Sequence, residues 1–207
     1  MLSEKQELLR DNDALLQASR RLDWRFLLPE PELGRVACVG VDDPNLVESL
    51  RLFGSEATVL EAGRPWEPAP HDVVVLRNPA EAELAAAVPL LRPGGWMYVE
   101  VDGAGSRRLP GGRRSARGCA AALRRLGLVE VQGHLHWPDF PSCRVIVPLG
   151  DALAVRLALA RRRQNASARL VVRLAPLLAA CNLLAAVAPS ASVLARRPAR
   201  AGEEGRA

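Results

Sequence analysis

Lysine is all but missing from this chain: Lys5 stands alone, and every other member of its 28 basic residues is arginine. A GC-rich coding sequence produces that bias as readily as a nucleic-acid partner does, so the number of arginines identifies no ligand by itself. Aromatic residues make up only 4% and are not interleaved with the basic ones, which argues against a surface that stacks nucleic-acid bases. The four cysteines, Cys38, Cys119, Cys143 and Cys181, are scattered with no CxxC pair. Reduced cytosolic thiols are expected, with Cys38 and Cys119 serving as small apolar side chains. Ser/His/Asp triad, P-loop, EF-hand and zinc-finger spacings are all missing. The opening MLSEKQELLRDND is too charged for a signal peptide, so the sequon Asn165-Ala-Ser167 is read as chance. The most apolar stretch, Leu174 to Pro189, is interrupted by Pro176 and Asn182 and falls short of the ~20 apolar residues of a spanning helix.

What is present fits one folded unit with an appendage. The chain has 207 residues, 49% hydrophobic and 25% charged, enough for a sizeable core. Charge is placed unevenly: residues 151–207 carry +7 and the first 150 carry −2, which together make the net +5. A near-neutral body with a basic, apolar tail suits an anionic surface as a partner for the tail.

Element signals alternate along the chain. Residues 3–22 read as an amphipathic helix, with Ser3 and Gln6 as a capping box and Leu8, Leu9, Leu15, Leu16 and Leu22 at helical spacing. Residues 22–29 then give an apolar anchor closed by Pro29. RVACVGV is a continuous apolar run, as expected of a strand covered on both faces. Pro44 to Phe53 reads as a helix ended by Gly54. Strands are expected at Ala57–Glu61, Asp72–Leu76, Trp96–Val101 and 128–137, with helices at 79–91 and about 113–126. Residues 151–188 hold two helical stretches, and Ser192–Arg197 is a short final strand. Strands alternating with helices imply a Rossmann-like α/β fold, a mostly parallel sheet with helices on both faces. The expected organisation is an N-terminal helical segment 1–32, a core 33–148, a basic amphipathic helical insertion 149–189, a final core strand 190–198 and a disordered tail 199–207.

The segment HDVVVLRNPAEAELAAAVPLLRPGGWMYVEV, residues 71–101, resembles the Asp-led strand, helix, L-x-P-G-G turn and strand of class I S-adenosylmethionine-dependent methyltransferases. RVACVGV is similar to that family's first strand, and GLVEVQGHLHW with SVLARR looks like its closing strand pair. The resemblance implies S-adenosylmethionine as cofactor, with Gly40, Val41 and Asp42 at the first turn, Glu61 on the ribose, and Leu76, Arg77 and Asn78 beside the sulfonium. Two departures stand out. The family's Gly-x-Gly turn is reduced to Gly40-Val-Asp42, and only AGRPWEPAPH separates Glu61 from Asp72. Those ten residues with three prolines cannot supply a crossover helix, which with its connections takes at least ~10–12 residues, so an edge βα unit is expected to be deleted. The cofactor reading requires the cleft above Gly40 to be free of the Val41 and Trp66 side chains.

Each candidate has a plainer reading beside it. Glu61 can equally be a solvated strand-end acid, and Asp43 a cap for the Pro44 helix. His134 and His136 share one strand face. With Asp139 as the sole further donor they fall short of a zinc site, so no metal is expected. His136 is a weak general-base candidate, against a half-exposed structural histidine. Asp102 and the arginines of the glycine-rich loop, Arg107 and Arg108 among them, suit a phosphate-bearing acceptor, against a mobile solvated loop. Residues 156–189 fit an anionic membrane face or a protein interface, including a homodimer. Two functions follow: methyl transfer to a small or lipid- or sugar-linked acceptor, or an inactive pseudo-methyltransferase that docks a protein partner or membrane. Either would be cytoplasmic, or peripheral to the inner face of the membrane.

Overall fold

The computed structural model describes Leu16 and residues 19–41, 44–61, 64–67, 69–102, 115–160, 175, 177–181 and 183–199. A 3-10 turn at Asp23–Leu27 leads to β1 (Arg35–Val39), α1 (Pro44–Phe53) and β2 (Glu56–Leu60). Then come β3 (His71–Arg77), α2 (Glu81–Ala87) with a 3-10 turn at Val88–Leu90, and β4 (Leu91–Asp102). They are followed by α3 (Ala116–Arg125), β5 (Val129–Trp137), β6 (Val145–Pro148), α4 (Ala152–Ala160), α5 (Leu184–Val187) and β7 (Ser190–Arg196). One seven-stranded sheet has the order β2-β1-β3-β4-β7-β5-β6. β2, β1, β3 and β4 are parallel, whereas β7 is antiparallel to both β4 and β5, and β6 is antiparallel to β5.

Apolar runs explain the central strands. Val73, Val74, Val75 and Leu76 are all buried, as a parallel strand covered on both faces requires. One face packs Val36, Cys38, Val73 and Val75 against Leu46 and Leu50 of α1 and against Leu22 and Trp24. The opposite face packs Ala37, Val39, Val74 and Leu76 with Leu84 of α2, Cys119 and Leu123 of α3, and Val155, Ala175, Ala179 and Leu184 of the insertion. Caps fix several helix starts. The Ser115 hydroxyl accepts from the Gly118 N–H at 3.1 Å, and the Asp151 carboxylate accepts from Leu153 and Ala154, both at 2.9 Å. α2 is shorter than the 79–91 expected, because Pro89 has no N–H to continue an α-helical ladder; the chain tightens into the 3-10 turn instead.

The amino ends of the strands are clasped. Gly34 has φ +60, and a Cβ there would press into the Asp72 carboxylate. That carboxylate accepts from the Arg35 N–H at 2.7 Å and pairs with Arg92. In the Pro-Gly-Gly turn, Gly94 (φ +78) donates its N–H to the Arg197 carbonyl at 3.0 Å, and the Arg197 N–H returns a bond to Gly95 at 2.8 Å. The Pro-Gly-Gly turn is therefore architectural: it ties β4 to the end of β7. Strand β6 was not anticipated. No helix among the described residues is long and apolar enough to cross a membrane.

Candidate functional site

Chain order reverses between β1 and β3, and ligands in open α/β sheets lie outside the carboxyl ends of strands at such a switch point. Register brings the sequence candidates there. Val39 lies level with both Leu60 and Leu76, and Arg77 lies level with Glu100. Gly40, Glu61, Asn78 and Asp102 thus stand in neighbouring positions at one end of the sheet. Gly40 has φ +64, and a Cβ on it would sit 3.4 Å from the Arg77 carbonyl; glycine occupies this turn without strain. Asn78 is left-handed as well, at φ +47, a conformation its short polar side chain tolerates. Its N–H reaches the Glu100 carbonyl at 2.8 Å, and its side-chain oxygen accepts from the Asp102 N–H at 2.8 Å. Asn78 therefore pins the ends of β3 and β4 together. The Glu61 side chain is 69% exposed and pairs with Arg64 at 2.8 Å.

The other candidates lie elsewhere. Leu76 is fully buried in the core, and Val41 packs with Trp24 and Leu46. Arg77 is half-buried. Asp42, Asp43, Arg107 and Arg108 fall outside the described residues. Between Glu61 and His71 the described residues form no helix or strand, in keeping with the deletion expected there. Trp66 packs beside Leu60 against the core and donates its indole N–H to the Glu61 carbonyl at 2.9 Å. Both side chains named as obstacles to the cleft are engaged with the core.

A buried polar chain runs across the same sheet face as α1. Arg21 grips Glu100 with two bonds of 2.5 and 2.8 Å, the side chains being 8% and 0% exposed. Trp24 stacks on Tyr98, centroids 3.9 Å apart. The Tyr98 hydroxyl lies 3.4 Å from both Glu100 and His136 Nε2, and the Ser192 hydroxyl is 2.8 Å from the same nitrogen. Cys143 Sγ approaches His136 Nδ1 at 3.6 Å, and Phe140 lies between His136 and the Arg21 guanidinium. Burial, then the Arg21 charge, lowers the His136 pKa to about 3; burial lowers His134 to about 4. Burial and the nearby Glu100 charge raise the Tyr98 phenol well above its ordinary value. These groups are neutral at pH 7, and His136 is 3% exposed, so the half-exposed histidine expected from the sequence is instead a closed structural one. Asp139 bonds Ser142, and no cluster of three metal-binding side chains occurs among the described residues. The sequence held a signal for this network: Glu100 inside the apolar run WMYVEV demands a buried cation, and Arg21 supplies it.

No protein-family model matches the chain. No curated protein sequence matches it either. Among solved structures it is similar to the phosphoethanolamine N-methyltransferase 2 of Haemonchus contortus in complex with S-adenosyl-L-methionine, at 12% identity and TM-score 0.50, covering 86% of this chain and 52% of that one. The same worm enzyme with phosphomonomethylethanolamine and S-adenosylhomocysteine gives 11% identity and TM-score 0.49, covering 90% and 52%. An S-adenosylmethionine-dependent methyltransferase of Thermotoga maritima gives 15% identity and TM-score 0.47, covering 93% and 95%. The chain spans about half the length of the worm enzyme. These likenesses are of fold.

Proposed function

We propose that this chain, which has the class I S-adenosylmethionine-dependent methyltransferase fold, binds that cofactor at the β1/β3 switch point and methylates a small or lipid- or sugar-linked acceptor. One observation carries the reading: Gly40 turns with positive φ just beyond β1, with Glu61 and Asn78 one step past the strands on either side. The residues fit the cofactor there. A side chain is missing where backbone must approach, and an exposed acid stands at the neighbouring strand end to accept from ribose hydroxyls. Gly40, Val41 and Asp42 contribute backbone at the turn, Glu61 the ribose contact, and Arg77 and Asn78 the wall toward the reacting end. When bound, S-adenosylmethionine supplies an electrophilic methyl group. Asp102, with Arg107 and Arg108, orients the acceptor, and rate comes from positioning. His136, enclosed behind Phe140 and Arg21, takes no part in this reading.

Isothermal titration with S-adenosylmethionine and its demethylated product tests this. Micromolar binding that Glu61→Ala weakens and Gly40→Val abolishes supports the reading; no heat at millimolar ligand overturns it.

A second reading, an inactive scaffold that docks a protein or membrane, is favoured by the surface of the insertion. Leu153, Leu157, Leu177, Leu183 and Val187 are all exposed, and no acidic residue occurs between Asp151 and Glu203. Arg161 to Arg163, Arg169 and Arg173, which supply most of the charge, lie outside the described residues. Flotation with neutral and anionic vesicles separates the partners. Recovery on anionic vesicles alone supports a charged membrane face for 156–189, and equal recovery on both rejects it.

A further inference from the structure

One of the two sheet edges, β2, stands open. β2 ends the strand order, and among the described residues its outer backbone groups meet no strand. An unpaired edge is a template for another chain, and proteins usually guard one with proline, lysine or a bulge. Glu56-Ala-Thr-Val-Leu60 has none of these, and Val59 is 47% exposed. Beside it runs a groove of about 440 Å³ whose lining includes Thr58, Val59, Leu60, Pro65 and Trp66. Acid and base stand near each end of the strand: Glu56 bonds Arg35 of the inner strand β1 at 3.2 Å, and Glu61 bonds Arg64 at 2.8 Å just past Leu60.

We infer that two copies of this chain pair antiparallel through β2, about a two-fold axis at Thr58. The charge pattern selects a second copy over an unrelated strand. Turning the strand end for end brings Glu56 of each copy toward the partner's opposite end, where Arg64 lies just past Leu60. Glu56 of one copy then faces Arg64 of the other, and the two-fold axis repeats the pair. An isologous contact of this kind closes as a dimer and leaves no further edge there. Ala57 lies opposite Val59, and Thr58 lies opposite its own copy, a cross-strand pairing that stabilises antiparallel ladders. The inference does not depend on cofactor binding.

Sedimentation velocity on the full chain from about 1 µM to about 1 mM covers the affinities of small interfaces. The expected result is a reversible dimer. Val59→Lys on the exposed edge weakens it about tenfold or more while the unfolding temperature and circular dichroism stay unchanged. In a Cys181→Ser background, Thr58→Cys gives an oxidised, reducible covalent dimer, because directly opposed residues in an antiparallel pair reach disulfide geometry. A monomer throughout the range overturns the inference. So does a dimer that survives Val59→Lys and leaves Thr58→Cys uncrosslinked, which assigns association to another surface such as the leucines of the insertion.

Discussion

Replacing Arg21 by Met removes the cation from Glu100 while keeping much of the side-chain volume. Glu100 is fully buried and its two oxygens accept from Arg21, so the variant leaves a buried carboxylate without its two-bond partner. Loss of one partner of a buried pair costs roughly 3–5 kcal/mol. At pH 7 the melting temperature falls by about 10 °C, at ~2–4 °C per kcal/mol for a chain of this size. Urea unfolding followed by tryptophan fluorescence measures the loss, since Trp24 stacks on Tyr98 in the same network. A loss below about 1 kcal/mol refutes the reasoning. Glu100→Gln added to Arg21→Met recovers most of the stability, because no buried charge is then left.

Other outcomes follow from the same geometry. His134 and His136, with pKa values lowered to about 4 and about 3 by burial, show no imidazole NMR titration between pH 8 and pH 5, whereas a midpoint near 6.5 contradicts their enclosure. Because the unfolded chain binds protons on these histidines first, native stability falls as pH drops below the ordinary histidine value toward about 3. Gly34→Ala forces a side chain into a left-handed turn against Asp72 and costs about 1–3 kcal/mol in denaturant unfolding; an unchanged midpoint rejects that role for Asp72. Thiol alkylation of the native protein modifies exposed Cys181 first and spares buried Cys38 and Cys119 until unfolding. Burial raises the Cys38 thiol to about 12.

Strands buried on both faces were plain in the sequence because nothing polar interrupts them: RVACV and HDVVVL fall on β1 and β3, and the Pro44 helix runs to Phe53 as read. The missing edge unit was legible too, since prolines and chain length leave no room for a crossover helix, and the chain passes from β2 to β3 across β1 without one among the described residues. β6 was overlooked because Val-Ile-Val, after Pro141 and Ser142, is too short to show a period. The strand start at Leu91 was hidden for another reason: His71 pairs with Leu91 across a register shift, and no local pattern announces a bulge. At the site, position along the strands placed Gly40, Glu61 and Asn78 together, but no periodicity foretold that Arg21 meets Glu100 across 79 residues.

β7 comes after every other strand in the chain yet sits between β4 and β5. Until it arrives, β1 to β4 and the β5–β6 hairpin are two separate half-sheets, each with an inner rim of unsatisfied amides. During synthesis on the ribosome these rims stay unclosed while the insertion is being made, so the nascent protein is open to mispairing until β7 follows. A chain stopped short of Ser190 has no means of joining its halves. Chaperone dependence falls away once Arg196 and Arg197 reach the Pro-Gly-Gly clasp.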